Sequence, residues 1–111
     1  MDILDDLYLP AQITIRAGLV MAFYPGATAE QVEAQVTRKI EERLFRFSEV
    51  KKRKTFSTSR DGIVIVQVEL EDWVMDPDLF WSKLRHDLNE LKARELPEEV
   101  LGVTVDGDEA V

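Results

Sequence analysis

Phe23-Tyr24-Pro25-Gly26-Ala27-Thr28-Ala29-Glu30-Gln31 joins a strand to a helix within nine residues, and the rest of the chain completes that unit and then repeats it. Pro25 favours extended geometry in Tyr24 before it. Proline presets φ at the second position of a turn and glycine accepts positive φ at the third, so Pro25-Gly26 is strong turn punctuation. Thr28 reads as a helix N-cap. Its hydroxyl can accept from the amide of Gln31, and the Gln31 side chain can reach back to close a capping box.

Upstream of this stretch, residues 11–24 alternate. Ile13, Ile15, Ala17, Leu19, Met21 and Phe23 fall on one side; Gln12, Thr14, Arg16 and Gly18 fall on the other. Period two predicts a strand with one buried face, the apolar set being the natural choice. The run is long for one strand, so Gly18 is expected to mark a bulge or bend. Residues 1–10 are acidic, end in Pro10 and read as a partly ordered leader.

Downstream, a first helix is expected over about residues 29–46. Val32, Val36, Ile40 and Leu44 recur every four residues among charged neighbours, the mark of an amphipathic helix laid on a sheet. A second strand is expected over about residues 49–59, its lysines suiting an edge. Asp61-Gly62 is a hairpin signal. Ile63 to Glu71 is the clearest strand, apolar on both faces at its start and therefore central. Asp76-Pro77-Asp78 opens a second helix with an N-cap aspartate and proline at the first helical position. That helix stops before Pro97. Phe80, Leu84, Leu88 and Leu91 form its apolar stripe, with Trp81 beside it, and Asp78, Ser82, His86 and Asn89 form a polar stripe on another side. Residues 101–105 make a short last strand. The domain then spans 11–106, with 107–111 an acidic tail.

Strand, helix, strand, strand, helix, strand is the order of two right-handed βαβ halves joined by the 61–62 hairpin. The expected fold is α+β, a ferredoxin-like split βαβ with a four-stranded antiparallel sheet and both helices on one face. The opposite face is left for solvent, a ligand or a neighbouring domain.

The totals bound what such a domain can do. A chain of 111 residues is one domain with an adequate core, and the absence of cysteine excludes disulfides and thiolate metal sites. A formal charge of −8 makes free nucleic acid a poor partner unless positive charge is segregated. Arg38, Lys39, Arg43, Arg46, Lys51, Lys52, Arg53 and Lys54 do lie within seventeen residues, and their plain reading is a solvated helix face and strand edge. No apolar run approaches the ~20 residues of a membrane span, and the first residues lack a signal peptide's basic and apolar regions. The chain as given is therefore expected to be soluble, as a domain by itself or as a piece of something larger.

No catalytic pattern stands out. His86 is the single histidine, with Asp87 and Glu90 the nearest possible co-ligands, and reads as a surface residue. There is no Gly-x-Ser-x-Gly elbow and no glycine-rich phosphate loop, and the adjacent pairs Glu41-Glu42 and Glu98-Glu99 suit solvation. No enzyme and no cofactor are expected. RNA-recognition modules share this fold but stack bases on aromatic residues of the central strands. Here Ile63 to Leu70 has no aromatic residue and carries Glu69, which argues against nucleic acid. Trp73 and Trp81 flank helix two, where packing is the expected role.

Tyr24-Pro25-Gly26-Ala27, with Thr28-Ala29-Glu30-Gln31-Val32-Glu33 and then Val36-Thr37 and Ile40-Glu41, resembles the first periplasmic segment of resistance-nodulation-division (RND) efflux transporters of the acriflavine-resistance type. Val50-Lys51-Lys52 and Ser57-Thr58-Ser59-Arg60-Asp61-Gly62 are similar to that segment's second strand and hairpin. Trp81, Leu84-Arg85, Leu88-Asn89 and Leu96-Pro97-Glu98-Glu99-Val100 are similar to its second helix and exit. The resemblance covers about residues 11–106. It implies the first porter subdomain of a proton-driven multidrug pump, on the periplasmic side of the bacterial inner membrane. Its second helix would be a pore helix, three copies of which meet in a trimer. Its sheet would wall a path for small apolar or cationic substrates together with the adjoining porter subdomains.

Carried over residue by residue, the pore-facing stripe is Asp78, Ser82, His86 and Asn89, and the substrate-path positions are Met21, Ile65 and Gln67. The chain departs from the family in three ways. An acidic leader stands where a transmembrane helix is expected, the second strand is about two residues longer with Arg53-Lys54 at an apolar place, and the proton-coupling carboxylates are outside the chain. The alternatives are a stand-alone ferredoxin-like module for ligand sensing or dimerisation and, less favoured, a nucleic-acid binder using the 38–54 cluster.

Overall fold

The Tyr24–Ala27 turn closes as its residues require. In a computed structural model that describes residues 16–106, the Ala27 N–H donates to the Tyr24 carbonyl at 3.2 Å, and Gly26 takes φ +84° at the third turn position. The capping box is complete: Gln31 N–H donates to Thr28 Oγ1 at 3.1 Å, and Thr28 N–H donates to Gln31 Oε1 at 2.9 Å. A second turn is bolted to the first. Tyr24 N–H donates to the Gly62 carbonyl at 2.7 Å, Gly62 N–H donates to the Ala27 carbonyl at 3.0 Å, and Ala29 N–H donates to Asp61 Oδ1 at 2.8 Å. Asp61 therefore satisfies one more orphan amide at the start of the helix, a contact the local sequence does not announce.

Four strands form one antiparallel sheet: β1 (Ala17–Phe23), β2 (Phe56–Arg60), β3 (Ile63–Glu69) and β4 (Gly102–Val105). Their spatial order is β2-β3-β1-β4, which with the two intervening helices is the ferredoxin-like split βαβ arrangement. β3 is central and β2 lies at an edge, as expected. The first helix, α1 (residues 29–44), begins as Ala29–Val32, widens to a π-helical stretch over Glu33–Thr37 and resumes as Arg38–Leu44. Side chains spaced strictly by four overrun an α turn of about 3.6 residues by roughly 40° at each step. One wider turn offsets that drift and keeps Val32, Val36, Ile40 and Leu44 all fully buried. The second helix, α2, is Pro77–Glu95, capped by Asp76 Oδ1 accepting from Leu79 N–H at 3.1 Å.

Both helices pack on one face of the sheet. Val20, Ala22, Val64, Val66, Val68, Val103 and Val105 meet Val32, Val36, Ile40 and Leu44 of α1 and Phe80, Trp81, Leu84, Leu88 and Leu91 of α2 in a single core. Phe80 sits edge-to-face with both Trp81 and Phe47. The tryptophans part company: Trp81 is buried, whereas Trp73 is exposed.

Three expectations are corrected. In β1 it is Val20 and Ala22 that face the helices, whereas Leu19, Met21 and Phe23 lie on the other side. The second strand is not continuous: Val50 makes an isolated bridge to Leu70, Lys52–Lys54 forms a 3-10 turn, and pairing resumes at Phe56. The extra length with Arg53-Lys54 is thus taken up outside the ladder. Gly18 is neither bulge nor bend, since it pairs with Val68 in an unbroken register from Ala17↔Glu69 to Phe23↔Ile63. The leader, the first residues assigned to the opening strand and the 107–111 tail lie outside the described residues.

Candidate functional site

Directly opposite residues in a ladder share a face, so the register lays out the side of the sheet turned from the helices. Its rows run Phe56, Gln67, Leu19; then Thr58, Ile65, Met21, Thr104; then Arg60, Ile63, Phe23, Gly102. Both α1 and α2 lie on the other side of the sheet. Met21, Ile65 and Gln67 come together here: Met21 is paired with Ile65, and Gln67 lies one row away between Phe56 and Leu19. Met21 and Ile65 are half-buried and Gln67 is exposed. Around them Leu19, Phe23 and Phe56 keep 36%, 40% and 58% of their surface accessible. These three were not singled out in the sequence. Leu19 and Phe23 share Met21's parity, a signal that becomes legible once the wet side of the strand is known.

The Phe56–Gln67–Leu19 row opens into a groove of about 400 Å³ at one end of the sheet. Lys54, Glu69 and Asp106 add charge to its rim. Leu19, Phe56 and Val68 share its lining with Lys54, Gln67, Glu69 and Asp106, so the groove is mixed in polarity and open to water.

Asp78, Ser82, His86 and Asn89 are all exposed along α2, opposite its buried stripe. The structure brings them onto one outward surface with the exposed Leu79. Asp87, a possible co-ligand of His86, is instead engaged by Arg43 at 3.1 Å. Among the described residues no group of three histidine, cysteine, aspartate or glutamate side chains could hold a metal ion.

The basic cluster of residues 38–54 divides. Arg43 ties α1 to α2, donating to Glu95 at 3.1 Å and to the Asp87 backbone carbonyl at 3.3 Å besides its ion pair with the Asp87 carboxylate. Burial is the largest single influence and opposes its charge, yet its hydrogen bonds to Asp87 and Glu95 and their negative charges together outweigh that and hold the guanidinium pKa above its ordinary value. Lys51 contacts Asp72 and Glu69, both at 3.1 Å, and these hold its ammonium above the usual lysine range. Arg38 pairs with Glu33. The exposed cations left outside these pairings, Arg46 and Lys52–Lys54, fall in two separate segments. Facing β2, Ser57 donates to Glu41 at 2.6 Å and Ser59 to Glu33 at 2.8 Å, a polar seam between α1 and the edge strand.

Among the described residues no helix is long and apolar enough to cross a membrane. Compared with known families, residues 9–110 match the model of the AcrB/AcrD/AcrF family. Nothing among curated proteins matches the chain.

Proposed function

The chain belongs to the AcrB/AcrD/AcrF family and is a domain related to RND-type transporters, and from that premise we propose that it acts as the first porter subdomain of a proton-driven efflux pump on the periplasmic side of the inner membrane. In this reading the uncovered side of the sheet walls the passage for small apolar or cationic compounds, with Met21, Ile65 and Gln67 lining it. The outward stripe of α2, with Asp78, Ser82, His86 and Asn89, meets two further copies of itself in a trimer. Adjoining porter subdomains complete the wall. The domain does no chemistry. It moves as a rigid body when protonation elsewhere in the pump shifts its neighbours.

The observation that carries this reading is the contrast between the two sides of the sheet. A domain with an apolar, accessible face beside a fully packed one is made to be covered by something else. The test is made in the intact transporter. Ile65→Asp should lower efflux of apolar cations by about tenfold or more at unchanged expression, because a carboxylate on an apolar wall must be desolvated. His86→Cys, in a transporter whose other cysteines have been replaced, should give intersubunit cross-links under mild oxidation; this domain contributes no cysteine of its own. Unchanged efflux in the first variant removes the wall, and absence of cross-links in the second removes the pore helix.

A further inference from the structure

Three cations stand exposed at one corner of the domain. Lys52, Arg53 and Lys54 form the 3-10 turn before β2, and none of their side chains makes an ion pair or hydrogen bond among the described residues. Lys51, next to them, is turned inward onto Glu69 and Asp72, offsetting one of their two negative charges. The corner is thus a local positive feature on a chain whose formal charge is −8.

Its position is defined by the sheet. Leu70 N–H donates to the Arg16 carbonyl at 2.8 Å and Lys51 N–H to the Glu69 carbonyl at 2.8 Å. Ala17, Lys54 and Asp106 line the same groove. The two ends of the described chain, Arg16 and Asp106, therefore lie at the same end of the sheet as this basic turn. Exposed Phe56 adjoins it.

We propose that the Lys52–Lys54 corner docks on the anionic headgroups of the bilayer that carries the rest of the transporter, with Phe56 at the headgroup boundary. The location of that bilayer rests on the reading above; the affinity for anionic lipid does not. Charge complementarity favours a lipid surface over nucleic acid. Three clustered cations and one aromatic side chain fit a flat array of headgroups, whereas a strand of nucleic acid calls for a longer basic track with stacking platforms. Asp106 and the carboxylates Glu69 and Asp72 lie close by and moderate the attraction, so the contact is weak for a free domain. A domain held near the membrane by its own chain gains from the high effective concentration. The corner would then set the tilt of the domain over the bilayer.

The experiment is flotation of the 111-residue chain with two kinds of vesicle, phosphatidylcholine alone and phosphatidylcholine with phosphatidylglycerol in about equal parts. At low salt the chain should float with the anionic vesicles only, and molar salt should release it as the screening length falls to about 3 Å. Lys52→Ala/Arg53→Ala/Lys54→Ala should lower partitioning by about tenfold or more, each cation at the surface counting for roughly a factor of five. Arg38→Ala/Arg46→Ala/Arg94→Ala removes the same charge from exposed positions elsewhere and should change it little. Equal losses in the two triple variants would reduce the effect to net charge and overturn the proposal. So would no preference for anionic vesicles, or a single-stranded RNA that binds more tightly than the vesicles and loses affinity through the same variant. A parent gene without membrane spans would end the transporter reading and leave the vesicle result standing, so the two failures are distinguishable.

Discussion

The two sides of this sheet are built from similar residues and have opposite fates. On one side Val20, Ala22, Val64, Val66, Val68, Val103 and Val105 are buried beneath two helices. On the other, Leu19, Met21, Phe23, Phe56, Ile63 and Ile65 remain half-buried or exposed. Hydrophobicity therefore does not separate core from surface here; position relative to the helices does. The packed side holds the fold together, and the uncovered side has apolar surface to offer a neighbour or a passing ligand.

The largest effect that could break this contrast lies in the core. Trp81 is fully buried against Phe80, so Trp81→Ala should cost about 3–5 kcal/mol. Ile65→Ser, on the uncovered side, should cost about 1 kcal/mol or less. Urea midpoints at constant slope measure both, and near-equal losses would mean that the second side is also structural in the isolated domain. Gly26→Val comes next, at about 2 kcal/mol. A Cβ at Gly26 would meet nothing within 4 Å, so the loss comes from φ +84° alone. A loss as large as that of Trp81→Ala would move the main support from the core to the paired turns. Thr28→Ala is smallest among the structural changes, at about 1 kcal/mol. Asp61 still accepts from Ala29 N–H in that variant, so a loss well below this figure would show the outside cap sharing the work of the capping box.

Much of this was legible in the chain. The capping box at Thr28 and Gln31, the positive φ at Gly26 and the proline-led start of α2 are each decided within four or five residues, because a cap or turn is a local hydrogen-bonding problem. The apolar stripes of α1 and α2 were readable for the same reason, their period being a property of the helix itself. The candidate site was legible only in part. Met21, Ile65 and Gln67 came from a family resemblance, and nothing local showed that they are neighbours. The pairing Met21↔Ile65 joins residues far apart in sequence.

By itself, the sequence determined the order of elements, their caps and the ferredoxin-like class. It did not determine which side of β1 is buried, because Leu19-Val20-Met21-Ala22-Phe23 is apolar on both. Tertiary structure made that choice through register: β1 pairs with β3 so that Leu19 stands opposite Gln67 and Val20 opposite Val66. Both helices pack over the side that carries Val20, Ala22, Val64 and Val66, while Leu19, Met21 and Phe23 stay with Gln67, Ile65 and Ile63 on the side left uncovered. It also turned the extra residues of the second strand into a basic 3-10 corner, since residues that find no partner in a ladder must leave it.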